Sequence, residues 1–256
     1  MGEVLVLCYH AVSERFPASL SVSPDAFRDQ LGMLVRRGYR GETFSSAIGR
    51  PPDGRVLAVT FDDAYRSVVR RALPILAEYG LPATVFVPTA YIGVDGPMHW
   101  PGIDRWHGTP HEAELVPCSW PELEQLVEAG WEVGSHTRTH PRLPELPDGE
   151  LMTELSESRR ECEERLGIPC RSVAYPYGAV DRRVVDAVAA AGYSFAAELP
   201  GSFRGPPVPL RWPRVGIYHR DSRLRFQLKT ARFMRGLRGT AAWSIVDGAR
   251  EARRHT

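Results

Sequence analysis

The sequence predicts an α/β protein built on a parallel sheet, arranged either as a barrel or as a doubly wound sheet. Short apolar runs alternate along the chain with amphipathic stretches, the order that repeated βα units produce. Several runs consist almost entirely of Val, Leu, Ala and Phe, as expected for strands covered on both faces. The length of 256 residues suits one large domain better than two small ones.

Six apolar runs and four amphipathic stretches account for the predicted elements. The predicted strands are residues 4–8, 56–61, 83–87, 131–135, 171–175 and 193–197. The predicted helices run from Ser23-Pro24 to Gly38, from Ser119 to Gly130, from about residue 150 to Gly167, and from Asp181 to Gly192. Ser119 and Glu122 have the spacing of a capping box. Because active residues of both candidate folds lie at the carboxyl ends of strands, we expect the functional residues directly after the predicted strands.

Composition excludes some classes of protein. The net charge of +1 gives no reason to expect nucleic acid, and four scattered cysteines do not form a disulfide framework. No segment has the roughly 20 apolar residues of a membrane helix, and the first residues lack the regions of a signal peptide. We therefore expect a cytoplasmic protein. An Arg-rich stretch within residues 221–256 is interpreted as a solvated helical extension, with a surface for anionic lipid or polymer as the alternative.

Two adjacent carboxylates, Asp62 and Asp63, follow the second predicted strand in the run Thr60-Phe61-Asp62-Asp63. Carboxylates next to apolar surroundings need a cationic partner. A metal ion is one such partner. The alternative is that one of them caps the helix that follows.

Two histidines, His136 and His140, follow the predicted strand at 131–135. If the backbone turns helically there, residues at this spacing meet on one face, which is a common arrangement of metal ligands. Alone, the pair is also typical of a protein surface. Together with an Asp at the end of another strand, it supplies the two nitrogens and one oxygen of an open three-ligand site.

Pro176, Tyr177 and Gly178 follow the strand predicted at 171–175. Pro and Gly favour a rigid turn, whose backbone N–H groups can face a developing oxyanion. An ordinary strand-to-helix turn is the alternative. The long segment 89–118 fits no regular element, and its Trp100 and Trp106 suit it to be a lid or a platform for sugar rings. A surface excursion with one Trp packed into the core is the alternative.

In these three blocks the sequence resembles the polysaccharide deacetylases, the carbohydrate esterase family that shares the NodB homology domain. The resemblance extends over roughly residues 4–217 and implies a distorted (β/α) barrel, with a deacetylase domain at 1–220. It also implies that Asp62 is the catalytic base. Asp63, His136 and His140 are then the ligands of a divalent metal, usually zinc.

This chain departs from the family pattern at two places. Ala174 stands where many members carry an Arg that braces the base, and the late His219 lacks the usual surroundings of the family's general acid. His10, directly after the strand at 4–8, instead resembles the first block of a permuted branch that includes poly-N-acetylglucosamine deacetylases. That resemblance assigns the general acid to His10, with His219 second; a core histidine is the alternative for His10.

The function that the resemblance implies is hydrolysis of an N-acetyl group on an amino sugar or glycan. An O-acetyl esterase and a hydrolase of non-sugar amides remain alternatives on the same site. A non-catalytic carbohydrate-binding module is a third. The expected partner is an acetylated sugar; no protein partner is predicted.

Overall fold

The structure, a computed structural model, describes residues 2–199 and 207–231. Its strands are β1 (Glu3–Tyr9), β2 (Ala11–Val12), β3 (Ser21–Val22), β4 (Tyr39–Gly41), β5 (Arg55–Phe61), β6 (Ala83–Val87), β7 (Glu132–Ser135), β8 (Ser172–Ala174), β9 (Phe195–Glu198), β10 (Trp212–Pro213) and β11 (Val215–Gly216). Its α-helices are α1 (Pro24–Arg36), α2 (Phe44–Ile48), α3 (Leu73–Glu78), α4 (Trp120–Glu128), α5 (Asp148–Leu166), α6 (Arg182–Ala190) and α7 (Arg223–Thr230).

The described residues form a nine-stranded parallel sheet that curls into a nearly closed barrel. The order around it is β10-β9-β8-β7-β6-β5-β1-β11, with β4 beside β5. The two edge strands are separated in the chain by Arg214 alone, so one short stretch pairs with β9 on one side and with β1 on the other. The distorted (β/α) barrel predicted from the sequence is confirmed, and the doubly wound alternative is wrong.

All six predicted strands and all four predicted helices are present. Strand ends differ from the prediction by at most two residues. The capping box of α4 forms in both directions, since the Ser119 hydroxyl accepts from the Glu122 N–H and the Glu122 carboxylate accepts from the Ser119 N–H. Strands β2, β3, β4 and β10, which the six apolar runs do not include, have two or three residues each and are too short to show a hydrophobic period. Strand β11 lies within residues 214–218, a weaker strand signal than the other six.

The barrel interior is filled by alternate residues of the strands, because successive side chains of a strand point to opposite faces. A small core cluster inside the barrel contains Val6, Ala58, Phe86, Ala174 and Ala197, packed against α2. Space around the Phe86 ring is tight: a Cβ at Gly134 would lie 2.7 Å from it, so glycine is required there. Because these side chains fill the barrel near the amino ends of its strands, space for a site remains at the carboxyl ends.

The amino end of the barrel is closed by α2. The first N–H groups of this helix donate to strand side chains, Phe44 N to Thr84 Oγ1 and Ser45 N to Glu132 Oε2, both at 2.8 Å. These bonds satisfy donors that a helix start otherwise leaves free. Access to the barrel is therefore from the opposite, carboxyl end.

The predicted C-terminal extension, 221–256, is described as far as residue 231. Phe226 of α7 is fully buried in the main core, and the Asp221 carboxylate pairs with Arg225. The arginines on which the prediction of a basic tail rested, Arg232, Arg235, Arg238, Arg250, Arg253 and Arg254, lie outside the described residues. Within the described ranges, none of the helices combines the length and the apolar composition needed to cross a bilayer. The four cysteines, all of which are described, are buried free thiols.

Candidate active site and metal centre

The site residues lie at the carboxyl end of the barrel because strand alternation carries them inward. His10 follows β1, Asp62 follows β5 and His136 follows β7. Each is an even number of positions from the residues of its strand that point into the barrel, so it points inward as well. They line one cavity of about 470 Å³. The structure therefore brings together residues that are up to 126 positions apart in the sequence.

Asp63, His136 and His140 form a buried cluster whose potential ligand atoms all lie within 4.8 Å of one another. Each histidine Nε2 is 3.4 Å from Asp63 Oδ1. That is longer than the 2.7–2.9 Å typical of a charged hydrogen bond, and Asp63 Oδ1 has no hydrogen-bond partner among the described residues. A buried carboxylate oxygen facing two imidazole nitrogens at this spacing fits a divalent cation.

Different contacts hold the two imidazole rings in place. His136 Nδ1 lies 2.8 Å from the Ala174 carbonyl oxygen and donates to it, which leaves Nε2 as the free ligand atom. The His140 ring stacks on Trp100, with ring centroids 4.3 Å apart. Burial opposes ionisation of Asp63, but the imidazoles of His136 and His140 that face its Oδ1 hold its pKa well below its usual range. Asp63 is therefore anionic at neutral pH, which suits a candidate ligand of a cation.

The HxxxH spacing brings its histidines together without a helix. The ring centroids of His136 and His140 are 4.8 Å apart. The intervening backbone is a turn in which Thr137 and His140 have φ of 65° and 62°, so the helical turn expected from the spacing is wrong. The helix N-cap alternative for the carboxylates is wrong as well, because Asp63 itself has φ of 68° and the next helical segment begins only at Val68.

Asp62 is held by a bidentate pair with Arg214. Arg214 Nη1 donates to Asp62 Oδ1 at 2.6 Å and Nη2 donates to Oδ2 at 2.8 Å, with both side chains buried. Burial opposes ionisation of Asp62, but the Arg214 charge, with a smaller contribution from His136, lowers its pKa to about 2. Asp62 is therefore ionised at neutral pH and fixed in orientation.

Arg214 thus holds Asp62 in place. The family resemblance placed such an Arg at the position that Ala174 occupies in this chain. Arg214 lies between β10 and β11, where the chain closes the barrel, and reaches inward to Asp62 and to Thr60 Oγ1 at 3.0 Å. Sequence analysis missed this residue. The available signal was an Arg inside an otherwise apolar stretch, Trp212 to Ile217, but the barrel closure that places it opposite Asp62 is not visible in a sequence.

Arg214→Met is expected to lower the free energy of unfolding by about 3–5 kcal/mol, since it leaves the Asp62 charge buried without its partner. The matched control is Arg211→Met. Arg211 makes a similar bidentate pair with Glu198, both bonds 2.9 Å long, but its side chain is half exposed, so the loss should be about 0–1 kcal/mol. Urea unfolding at neutral pH measures both, and equal losses would contradict the prediction.

The same comparison has a defined pH dependence. The lowered pKa of Asp62 stabilises the folded protein fully above the ordinary Asp value, about 4, and this contribution disappears as the pH falls through about 2. In Arg214→Met the unpaired Asp62 protonates more readily. The difference in unfolding free energy between wild type and Arg214→Met should therefore shrink as the pH is lowered from 5 to 2.5.

His10 lies at the rim of the same cavity, next to Asp62. Its side chain is 9% exposed and its Nδ1 has no hydrogen-bond partner in the described part of the chain. One of its ring nitrogens is within 4.8 Å of an Asp62 oxygen. His219 is exposed on a turn outside the barrel, and the preceding Tyr218 is the residue that reaches the cavity. The geometry therefore favours His10 over His219 as a group that can contact a substrate.

Tyr177 and Gly178 line the cavity, whereas Pro176 between Tyr175 and Tyr177 is buried and is not one of the lining residues. Tyr177 adopts φ of 58° in a short turn after β8, and its ring packs against His140 at 4.7 Å. The side chain is 38% exposed, and its hydroxyl donates to the Pro101 carbonyl at 3.3 Å. Tyr177 thus departs from helical geometry within this turn. Its hydroxyl links the turn to the long segment 89–118.

The segment 89–118 contributes to the lining of the cavity, and its role as a lid stays a prediction. It contains short 3₁₀ turns, and the residues that it contributes to the cavity are Trp100, Pro101, Gly102, Ile103, Arg105 and Trp106. Trp100 is only 6% exposed because its ring is stacked on His140, so the expected free platform for a sugar is not available on that ring face. Trp106 is half-buried against Phe16. Trp100 instead supports a candidate metal ligand.

Fold and site together define a (β/α)-barrel protein with a candidate metal centre at the carboxyl ends of its strands. A family model described as polysaccharide deacetylase matches residues 49–196, more than half of the chain. The chain belongs to the polysaccharide deacetylase family. The matched residues include Asp62, Asp63 and both candidate histidine ligands, whereas His10 and Arg214 lie outside them.

Similar proteins of known sequence include two bacterial relatives. The poly-β-1,6-N-acetyl-D-glucosamine N-deacetylase of Staphylococcus aureus is 23% identical over 205 residues, which cover 74% of this chain and 66% of the relative. YxkH of Bacillus subtilis is 24% identical over 193 residues, covering 73% of this chain and 61% of the relative. The chain therefore spans less than two thirds of the length of these relatives.

Solved structures with similar folds include a polysaccharide deacetylase from Bacillus cereus and IcaB from Ammonifex degensii. The first is 26% identical, with a TM-score of 0.73 and coverage of 89% of this chain and 69% of that chain. The second is also 26% identical, with a TM-score of 0.71 and coverage of 89% and 97%. The barrel described here is thus the fold of known polysaccharide deacetylases.

Proposed function

We propose that this protein is a metal-dependent hydrolase that removes N-acetyl groups from an amino sugar or glycan. The observation that carries the proposal is the placement of the Asp63–His136–His140 cluster beside an ionised Asp62, at the bottom of a cavity that also contains His10. Family membership and the named activity of the S. aureus relative support it.

The metal ligands are Asp63, His136 and His140, two nitrogens and one oxygen, a set that suits zinc. A divalent ion bound there would polarise the acetyl carbonyl and lower the pKa of a water molecule. The protein groups supply orientation and proton transfer. Asp62 cannot rotate, because both of its oxygens accept from Arg214.

Proton transfer is assigned to Asp62 and His10. Asp62 accepts a proton from the attacking water as the water oxygen bonds to the carbonyl carbon. The Tyr177 backbone N–H is assigned to the developing oxyanion. His10 then donates a proton to the sugar nitrogen while the C–N bond breaks, so the products are acetate and an amine.

The position of His10 favours an amide over an ester as substrate. An alkoxide is a better leaving group than an amine anion, so ester hydrolysis has less need of an acid beside the base. A carbohydrate-binding module needs no buried carboxylate–arginine pair next to a cluster of potential metal ligands. The first substrates to test are β-1,6-linked N-acetylglucosamine oligomers, the linkage in the name of the S. aureus relative.

The test of the proposal combines metal content with acetate release. We expect about one divalent ion per chain, and a His136→Ala/His140→Ala double variant that binds none and releases no acetate, because water in place of both histidines leaves a single protein ligand. The matched control is His99→Ala, an exposed histidine in the long loop, which should keep both properties. Full metal occupancy in the double variant, measured by elemental analysis, would contradict the assignment.

A further inference from the structure

Glu154 of α5 makes three hydrogen bonds to the turn that carries both candidate histidine ligands. Glu154 Oε2 accepts from the backbone N–H groups of Arg138 and Thr139, each at 2.8 Å. Glu154 Oε1 accepts from Thr139 Oγ1 at 2.6 Å. One carboxylate therefore binds the middle of the turn from outside the barrel.

The turn needs such support because its backbone is unusual. Thr137 and His140 both have positive φ, a conformation that persists in residues other than glycine only when the surrounding structure holds it. Inside the turn, Ser135 Oγ accepts from Thr137 N at 3.0 Å and Thr137 Oγ1 accepts from His140 N at 3.1 Å. These bonds shape the turn, whereas those of Glu154 fix it to a long helix.

We propose that Glu154 is a positioning residue for the metal centre. It holds the backbone of residues 138–139 so that the imidazoles of His136 and His140 stay directed at Asp63. The inference rests on the proposed metal site but assigns a role to a residue that contacts neither metal nor substrate. Groups that orient metal ligands in this way typically change metal affinity by about 10–100-fold when they are removed.

The neighbouring Glu157 provides a matched control. It lies one turn further along α5 and forms an ion pair with the Arg138 side chain, with Arg138 Nε 3.3 Å from Glu157 Oε2. Within the described residues, its carboxylate accepts no hydrogen bond from the backbone of the turn. Glu154→Ala and Glu157→Ala each remove one negative charge from the same helix face. Only Glu154→Ala removes acceptors from the backbone of the turn.

The experiment measures zinc affinity by competition with a chromophoric chelator. Glu154→Ala should bind zinc about 10–100-fold more weakly than wild type, and Glu157→Ala should match wild type. Glu154→Gln, which loses the charge but keeps an acceptor oxygen, should regain most of the affinity. Unchanged affinity in Glu154→Ala, or an equal loss in Glu157→Ala, would overturn the inference.

Hydrogen exchange of the Arg138 and Thr139 amides in metal-free protein gives a readout that does not depend on metal. Both amides should lose protection in Glu154→Ala and keep it in Glu157→Ala; unchanged protection in Glu154→Ala would refute the role. If wild type bound no metal, the proposed function would fail, while this comparison would still decide whether Glu154 positions the turn. Should Glu154→Ala not fold, Glu154→Asp, which keeps the charge but is one methylene shorter, replaces it with the same expectations.

Discussion

Replacing Asp62 by Asn should lower kcat for acetate release by about 10²–10⁴, the usual contribution of a general base, while metal content stays near that of wild type. Asn has nearly the same shape but cannot accept a proton, and Asp62 is outside the Asp63–His136–His140 cluster. Asp63→Asn is the matched change at the next residue and should lose the metal. Elemental analysis and steady-state kinetics on both variants measure these outcomes.

The variant also needs a control for folding, since Asp62→Asn leaves Arg214 buried without its counter-charge. The double variant Asp62→Asn/Arg214→Met removes both charges and should recover stability without recovering activity. Recovery of activity in the double variant would contradict a role for Asp62 as base. If Asp62→Asn lost the metal and Asp63→Asn kept it, the two roles would have to be exchanged.

His10→Ala should lower kcat on an N-acetylated sugar by about 10²–10⁴, as expected for loss of a general acid. It should have a smaller effect on an acetate ester of a phenol, whose leaving group needs no proton. His10 is buried at the cavity rim near Asp62. The comparison of the two substrates therefore separates proton donation from a general loss of structure.

His219→Ala is the matched control for His10→Ala and should change neither activity. His219 is exposed, and the contact that places it is made by its backbone, whose N–H donates to the Ser19 carbonyl at 2.9 Å. A large loss in His219→Ala with little loss in His10→Ala would return the general acid to the late part of the chain. It would also contradict the permuted arrangement of the motifs.

Residues near strand ends could be assigned to a common site from the sequence because parallel strands place their carboxyl ends at one edge. Asp62, Asp63 and His136 follow apolar runs that are readable without a structure, and each is found in the cavity. His10 also follows such a run, but its role as general acid was assigned from the resemblance to the permuted branch. Placement at the common edge needed only the positions of the apolar runs, which are local properties of the sequence.

Residues that depend on chain closure or on backbone geometry could not be assigned in this way. Arg214 reaches Asp62 from 152 positions away, because the stretch that contains it completes the barrel. Trp100 looked suited to stack on a sugar, yet its ring stacks on His140. Neither contact leaves a periodic signal, since each is set by how distant segments pack.

The sequence by itself determined six of the barrel's strands, four of its helices with their caps, and the groups that are candidates to hold a metal. Hydrophobic period and cap residues act over a few positions, so they are legible in a single chain. The tertiary structure alone decided which cation neutralises Asp62 and how the histidine turn is held. Those contacts join Asp62 to Arg214 and the turn to Glu154. A buried charge needs a partner, and the closure of the barrel sets which residue lies beside it.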